Sequence, residues 1–189
     1  EDNGKTWEKE AKTPIRGIVP DKLIELDTGR WVISTHYLVE QTGKLEQYLW
    51  FSDDKGETWS RQITVAAHPD YNLCEASLLP LGNGKIVAFM RENSGNGYDC
   101  MKTISHDNGE TWSNIINFPL PGCHRPVSGF LKDGRILLTY RFAQGGKGWP
   151  GNIYQNLFGA FFNMESALTK ERNEASVRIF PIDYDRSIV

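Results

Sequence analysis

A short phrase occurs three times in this sequence at nearly equal intervals. Residues 52–60 read SDDKGETWS, residues 105–113 read SHDNGETWS, and residues 2–7 read DNGKTW, without the beginning of the phrase. Its tryptophans are Trp7, Trp59 and Trp112, so the intervals are 52 and 53 residues. A repeat of about 40–50 residues is typical of propellers and solenoids, in which each repeat is one supersecondary unit. The repeat therefore predicts an array of similar units.

Each interval also contains a β-hairpin signal. Apolar runs flank a glycine-containing turn in segments 23–34, 78–90 and 129–140. Third strands are predicted at 44–52 and 98–105, and fourth strands at 58–65 and 111–118, so that the phrase forms the turn between them. In the last unit, a fourth strand is predicted at 175–183, after one helical turn within 163–174. The connections are too short for crossover helices, so the strands are expected to be antiparallel.

Four antiparallel strands repeated about an axis are the blades of a β-propeller. We therefore predict an all-β fold, a partial β-propeller domain over residues 1–189, with a blade end at 1–14 and blades at about 15–66, 71–118 and 122–183. Such blades are too few to close a ring, because propellers usually have about four to eight. Exposed sheet edges are also avoided in folded proteins. The pattern indicates a fragment of a longer chain, or a ring that another copy completes.

We interpret the phrase itself as a structural turn. Asp54 and Asp107 can accept backbone N–H bonds within the turn, and the glycine permits a positive φ. The threonine is expected to begin the fourth strand, and the tryptophan to supply buried area between blades. A calcium loop is disfavoured, because the phrase continues into a strand where the twelfth position would need a carboxylate.

The composition argues against several classes of function. A net charge of −3 without runs of one sign gives no footprint for nucleic acid or an anionic membrane. Cys74, Cys100 and Cys123 form neither a disulfide framework nor a zinc pair. The glycine-rich segment 141–152 does not join a strand to a helix, as a phosphate-binding loop would. We expect no cofactor and no metal, and the oligomeric state is not determined by these patterns.

The hairpins place charged residues at one end of the blades. Positions nine residues before and seven after the aligned turn glycines are Pro20 and His36, Glu75 and Arg91, and Arg125 and Arg141. The innermost strands of a propeller converge on its axis, so these positions are predicted to ring one mouth of that axis. Charged groups rarely lie in apolar strands without a partner or a ligand.

Two interpretations of these residues stay open. In one, Glu75 pairs with a neighbouring arginine and only ties blades together. In the other, the arginines bind an anionic ligand through their planar forks, beside the carboxylate. His36 either binds a sugar hydroxyl or is an ordinary packed histidine. Weaker candidates on the same rim are Arg16, Asp21, Asp70 and Tyr71.

The phrase Ser-x-Asp-x-Gly-x-Thr-Trp resembles the Asp box, or BNR repeat, of sialidases and related six-bladed propellers. Segment 74–92, CEASLLPLGNGKIVAFMRE, is also similar to sialidases, in which a glutamate, a glycine turn, an arginine and an Asp box follow in this order. The resemblance implies an exo-sialidase activity on terminal acidic sugars, with Glu75 activating a tyrosine nucleophile. Arg91 would be one of three arginines that hold the substrate carboxylate. It also implies a secreted or periplasmic location.

The chain departs from the sialidase pattern at several positions. We find no Arg-Ile-Pro motif and no acid/base aspartate, and segment 152–162 lacks the expected third arginine, whereas Arg125 is additional. Tyr184, the last tyrosine, lies in a context, PIDYDRS, that does not identify a nucleophile. We therefore expect the chain to be inactive alone. The alternatives are a non-catalytic propeller that binds a glycan or a protein, and an exo-glycosidase of another specificity.

Overall fold

The computed structural model describes residues 3–6, 13–143 and 155–184, which form three four-stranded antiparallel sheets. The first blade contains β1 Ile24–Glu25, β2 Trp31–Val39, β3 Lys44–Ser52 and β4 Ile63–Ala66. The second contains β5 Leu73–Gly82, β6 Lys85–Glu92, β7 Cys100–Ser105 and β8 Ile116–Phe118. The third contains β9 Cys123–Phe130, β10 Ile136–Ala143, β11 Gln155–Phe162 and β12 Arg178–Asp183.

Within each blade, every strand pairs with the strand that precedes or follows it in the chain. The prediction of an all-β propeller architecture is thereby confirmed. Between β11 and β12, the chain forms the short helix α1, Met164–Leu168, and a 3₁₀ turn, Arg172–Glu174. Among the described residues, no helix is long and apolar enough to cross a membrane.

The repeated phrase folds as a hydrogen-bonded turn in both complete copies. In the second copy, Asp107 Oδ1 accepts the backbone N–H of Thr111 at 2.9 Å, and its Oδ2 accepts the Thr111 hydroxyl at 2.5 Å. The Ser105 hydroxyl donates to Asp107 Oδ1 at 2.8 Å and accepts the N–H of Gly109 at 2.9 Å. The copy at 52–60 repeats these bonds, and the hydrogen bonds from Thr58 and Ser52 lower the pKa of Asp54 to about 2. Of the incomplete copy at 2–7, only residues 3–6 are described, and Trp7 lies outside them.

The start of the fourth strand differs from the sequence prediction. The strand begins at Ile63 in the first blade and at Ile116 in the second, rather than at Thr58 and Thr111. The reason is that each threonine donates its N–H and its hydroxyl to the aspartate of the turn, so the turn extends past the threonine.

The repeated turns lie at the end of the blade where the first hairpin turns. The N–H of Asn108, inside the phrase, donates to the carbonyl of Gly84 in the β5–β6 turn at 2.9 Å. Arg30 then joins two blades at this end, because its guanidinium contacts Asp53 at 2.7 Å and Glu110 at 2.9 Å. The opposite end of each blade, where β5 and β9 begin, is called the mouth below.

Apolar side chains from facing sheets form the core between blades. Phe89 of the second blade lies 5.5 Å from Phe162 of the third, measured between ring centroids, and Phe118 lies 5.1 Å from each of them. Trp112 packs against the apolar cluster that the first and second blades share, so it lies between blades as the sequence predicted. Aromatic pairs at these separations stabilise a core beyond the area that they bury.

A lysine lies in the interface between the second and third blades. Lys102 is completely buried on β7, and its Nζ donates to the carbonyls of Ser166 at 3.1 Å and Ala167 at 2.8 Å. These carbonyls belong to α1, whose last turn would otherwise leave acceptors without donors. Lys102 therefore attaches α1 of the third blade to β7 of the second blade.

Candidate functional site

The same β-bulge occurs at the mouth of the second and third blades. On β5, Cys74 pairs with Arg91 and Ser77 with Phe89, so two residues, Glu75 and Ala76, oppose one on β6. On β9, His124 pairs with Arg141 and Val127 with Thr139, which leaves Arg125 in the corresponding place. A bulge turns a side chain away from the direction that simple alternation would give it.

Glu75 and Arg125 have left-handed backbone conformations in these bulges. Their φ angles are 52° and 50°, a region that non-glycine residues seldom occupy. The conformation costs about 1–2 kcal/mol for a residue with a Cβ atom. Such strain is concentrated at functional sites, where the surrounding contacts maintain it. The two strained residues mark the mouth as the candidate site.

The Glu75 carboxylate joins the two blades at the mouth. Its Oε2 accepts Arg91 Nη1 at 3.2 Å and the backbone N–H of Arg125 at 3.1 Å. Arg91 is buried, and its Nη2 also donates to Asn93 Oδ1 at 2.5 Å. The guanidinium is therefore held from two sides before any ligand arrives, which reduces the entropy that a ligand must remove.

Arginines outnumber carboxylates in this group. Burial lowers the pKa of Arg141, the positive charges of Arg91 and Arg125 lower it further, and Glu75 partly offsets them. Arg141 thus lies within the electrostatic field of the same three residues. These four residues carry three guanidinium groups and one carboxylate. The described part of the chain has no group of three His, Cys, Asp or Glu side chains arranged to hold a metal ion.

Two buried histidines line the group without adding charge at neutral pH. His36 Nδ1 accepts the backbone N–H of Glu75 at 3.2 Å, and its pKa is lowered by burial and by Arg91, against the opposing effect of Glu75. Burial, Arg91 and Arg141 together lower the pKa of His124 to about 4. His124 Nδ1 is buried and has no hydrogen-bond partner among the described residues.

The structure brings together most of the residues that the hairpin count selected. Glu75, Arg91, Arg125 and Arg141 share the mouth, with His36 behind the Glu75 backbone. Their functional role stays a prediction. The hairpin count missed His124, which directly precedes Arg125 in the segment GCHRPVSGF. The count assumes a regular hairpin, in which Arg125 would be opposite Arg141, but the bulge makes His124 the partner of Arg141.

Other candidates lie elsewhere. Ile18, rather than Pro20, pairs with His36, so the first blade has a different register at the mouth. Asp21 Oδ2 accepts a hydrogen bond from the Ser77 hydroxyl at 2.9 Å. Ser77 lies two residues after Glu75 on β5, so this contact is further from the mouth. Arg16 is exposed.

Tyr184 lies at the outer edge of the third blade. It follows β12, the outermost strand of the third blade, and its ring contacts Phe158 at a centroid distance of 6.1 Å. Three strand spacings separate β12 from the inner strand β9, or about 14 Å. The third strand, Gln155–Phe162, contains no arginine. Of the glycine-rich segment 141–152, residues 144–152 lie outside the described residues.

A known family matches most of the chain. Residues 1–158 match the family described as BNR repeat-like domain. A sialidase from Paraclostridium sordellii is 24% identical over 172 residues, which cover 74% of this chain and 42% of the relative. The chain thus spans less than half the length of this curated relative.

Solved structures show the same fold at low sequence identity. A protein of unknown function from Dyadobacter fermentans has a TM-score of 0.72 at 23% identity, over 97% of this chain and 50% of the other. An α-L-arabinofuranosidase from Fusarium graminearum has a TM-score of 0.62 at 15% identity, over 84% and 49%. A sialidase from Streptococcus pneumoniae has a TM-score of 0.56 at 18% identity, over 86% and 23%.

Proposed function

Because this chain belongs to the family of BNR repeat-like domains, we propose that it supplies the anion-binding part of a sialidase-like glycoside hydrolase. The substrate is a glycan with a terminal acidic sugar, and the mouth binds the sugar carboxylate. The observation that carries the proposal is the charge imbalance among the four interacting residues at the mouth, of which three are arginines and one, Glu75, is acidic. A carboxylate ligand reduces that imbalance.

Arg91 is the principal ligand in this proposal. Arginine binds a carboxylate through two parallel N–H bonds, and a buried, oriented guanidinium loses little freedom when it does so. Arg91 is buried and already oriented by Glu75 and Asn93. Arg141 and Arg125 come from the adjacent blade and supply the remaining positive charge. They take the place of the arginine that β11 lacks.

Glu75 has the role of a base in the proposed reaction. It removes the phenolic proton of a tyrosine while the phenolate oxygen forms a bond to the anomeric carbon. The glycosidic bond breaks, and its oxygen leaves with a proton from a general acid. A neutral nucleophile suits this site, because a carboxylate nucleophile would repel the substrate carboxylate; sialidases are an exception to the usual pair of carboxylates for this reason. The tyrosine and the acid would come from other parts of a longer protein.

A non-catalytic propeller that binds an acidic glycan is the second candidate. The observation that favours it is the position of Tyr184, the last tyrosine, directly after the outermost strand of the third blade. Both candidates require the same anion site. They differ in whether bond cleavage follows binding.

The direct test is titration of the full-length protein with N-acetylneuraminic acid. Arg91→Ala should weaken binding by about 2–5 kcal/mol, the scale for losing a buried charged partner. Arg135→Ala is the matched control, because Arg135 lies at the hairpin-turn end of the third blade, is half exposed, and pairs only with Asp133 at 2.7 Å among the ion pairs described. Equal effects of the two substitutions, or no binding by the wild type, would reject the anion site.

A fluorogenic sialoside then separates the candidates. Release of the fluorophore by the full-length protein, lost in Glu75→Gln, supports the hydrolase. Binding without release in the wild type supports the non-catalytic propeller. Cleavage of another glycoside in place of the sialoside supports a glycosidase of different specificity.

A further inference from the structure

Three aromatic rings adjoin one another on the loops of the second blade. His68 stacks on Tyr71 with a centroid distance of 4.3 Å and an interplanar angle of 22°. Tyr71 meets Tyr98 edge to face, with a centroid distance of 5.1 Å. These three residues are called the aromatic platform below. His68 and Tyr71 belong to the β4–β5 connection, and Tyr98 to the β6–β7 connection.

The aromatic platform lies on the same end of the propeller as the candidate site. β5 begins and β6 ends at the mouth, so both connections run along that end. Tyr71 precedes Glu75 by four residues, which limits their Cα separation to about 14 Å. Hydrogen bonds also join the two places, because Arg91 donates to the Asn93 side chain and the Asn93 N–H donates to the Asn72 carbonyl at 2.8 Å.

A buried carboxylate holds the two loops of the platform in place. Glu92 Oε1 accepts the N–H groups of Asn72 and Ser94, each at 2.9 Å, and Oε2 accepts the Ser94 hydroxyl at 2.8 Å. Below them, Tyr71 packs against the apolar cluster that contains Leu73 and Met90. The platform is therefore built before a ligand binds.

The outer rings of the platform are accessible. Tyr98 is 39% exposed, and the His68 side chain is 35% exposed. Tyr98 does not belong to the apolar cluster on which Tyr71 packs. An exposed aromatic ring with a polar tip offers an apolar face to the C–H side of a sugar ring and a hydrogen bond to its hydroxyls.

We propose that the aromatic platform binds the neutral sugar next to the acidic terminal sugar of the same glycan. This inference rests on the proposed function, since it assigns the terminal sugar to the mouth. Its consequence is selectivity, because a longer glycan contacts both places and a free acidic monosaccharide contacts only the mouth.

The test compares three probes on the full-length protein by calorimetric titration: N-acetylneuraminic acid, lactose, and 3′-sialyllactose, which joins the two. The wild type should bind 3′-sialyllactose about threefold to tenfold more tightly than N-acetylneuraminic acid, the scale of one aromatic contact. Tyr98→Ala should abolish this ratio and leave the affinity for N-acetylneuraminic acid unchanged. Tyr98→Phe keeps the ring and should retain most of the ratio. Tyr98 is exposed, so neither substitution should prevent folding.

The probes separate failure of this inference from failure of the proposed function. If N-acetylneuraminic acid binds but Tyr98→Ala leaves the ratio unchanged, the platform is rejected and the anion site stands. If N-acetylneuraminic acid does not bind but lactose does, and lactose binding is lost in Tyr98→Ala, the platform stands as a neutral-sugar site and the anion site is rejected. Failure of all three probes overturns both.

Discussion

Replacement of Arg125 by glycine should stabilise the fold and weaken anion binding at the same time. Arg125 is exposed and has a φ of 50°, and its backbone N–H, which glycine would retain, donates to Glu75 Oε2. The substitution therefore removes the guanidinium and the strained Cβ while leaving the contact between blades. A gain in stability with a loss of binding is the pattern expected where a site maintains strain for function.

The size of the effect follows from two opposing terms. Glycine relieves the left-handed conformation, which costs about 1–2 kcal/mol for other residues. It also raises the entropy of the unfolded chain, at a cost of about 0.5–1 kcal/mol. The net gain in the free energy of unfolding should be about 0.5–1 kcal/mol. Loss of an exposed positive charge should weaken binding of N-acetylneuraminic acid by about 0.5–1 kcal/mol.

Urea unfolding measures the first effect, and two variants serve as controls. Arg125→Ala keeps the Cβ atom, so it should lose the same affinity without the gain in stability. Val127→Gly lies two residues further along β9, is 43% exposed, and has no positive φ, so it should lower stability. The m-value must stay constant for these comparisons to report stability alone.

The reasoning fails if Arg125→Gly destabilises the protein as much as Val127→Gly does. That result would mean that residue 125 is not strained in the folded protein, and the matching bulge at Glu75 would lose its significance. Unchanged affinity in both Arg125→Gly and Arg125→Ala would instead exclude this guanidinium from the anion site.

Two further predictions concern stability away from the mouth. Asp107→Ala should lower the free energy of unfolding by about 2–3 kcal/mol, because it leaves the Thr111 N–H and two hydroxyls without their acceptor. The affinity for N-acetylneuraminic acid should not change. A weaker affinity in the folded variant would contradict the structural role of Asp107. Burial lowers the pKa of Lys102 from 10.5 to about 8. Between these pH values the unfolded chain holds a proton that the folded chain has released. The free energy of unfolding should therefore increase by up to about 3 kcal/mol as the pH rises through this range. In urea titrations across pH 7–11, Lys102→Met should lack this rise relative to the wild type; parallel profiles would show that Lys102 has an ordinary pKa in the folded state.

Local patterns in the sequence were sufficient to predict the blades. The glycine turns and the alternation of apolar residues depend on neighbours within about ten positions, so they predict strands and hairpins directly. The period of the phrase then predicts that these hairpins recur as similar units. The turn around Asp107 was predictable for the same reason, since its acceptors and donors lie within a few residues of one another. The pairing of Glu75 with Arg91 at one end of a hairpin also follows from counting along the chain.

The tertiary structure decided what happens between blades. The bulges at Glu75 and Arg125 shift the register by one residue, and they are maintained by contacts that join residues 50 positions apart in the sequence, such as the bond between these two residues. Burial of His124 and Lys102 likewise depends on a neighbouring blade or on α1, which no local pattern encodes. Strand pairing is a local consequence of turn chemistry, whereas the environment of a charge depends on which distant surfaces pack against it, and only the packed blades determine that.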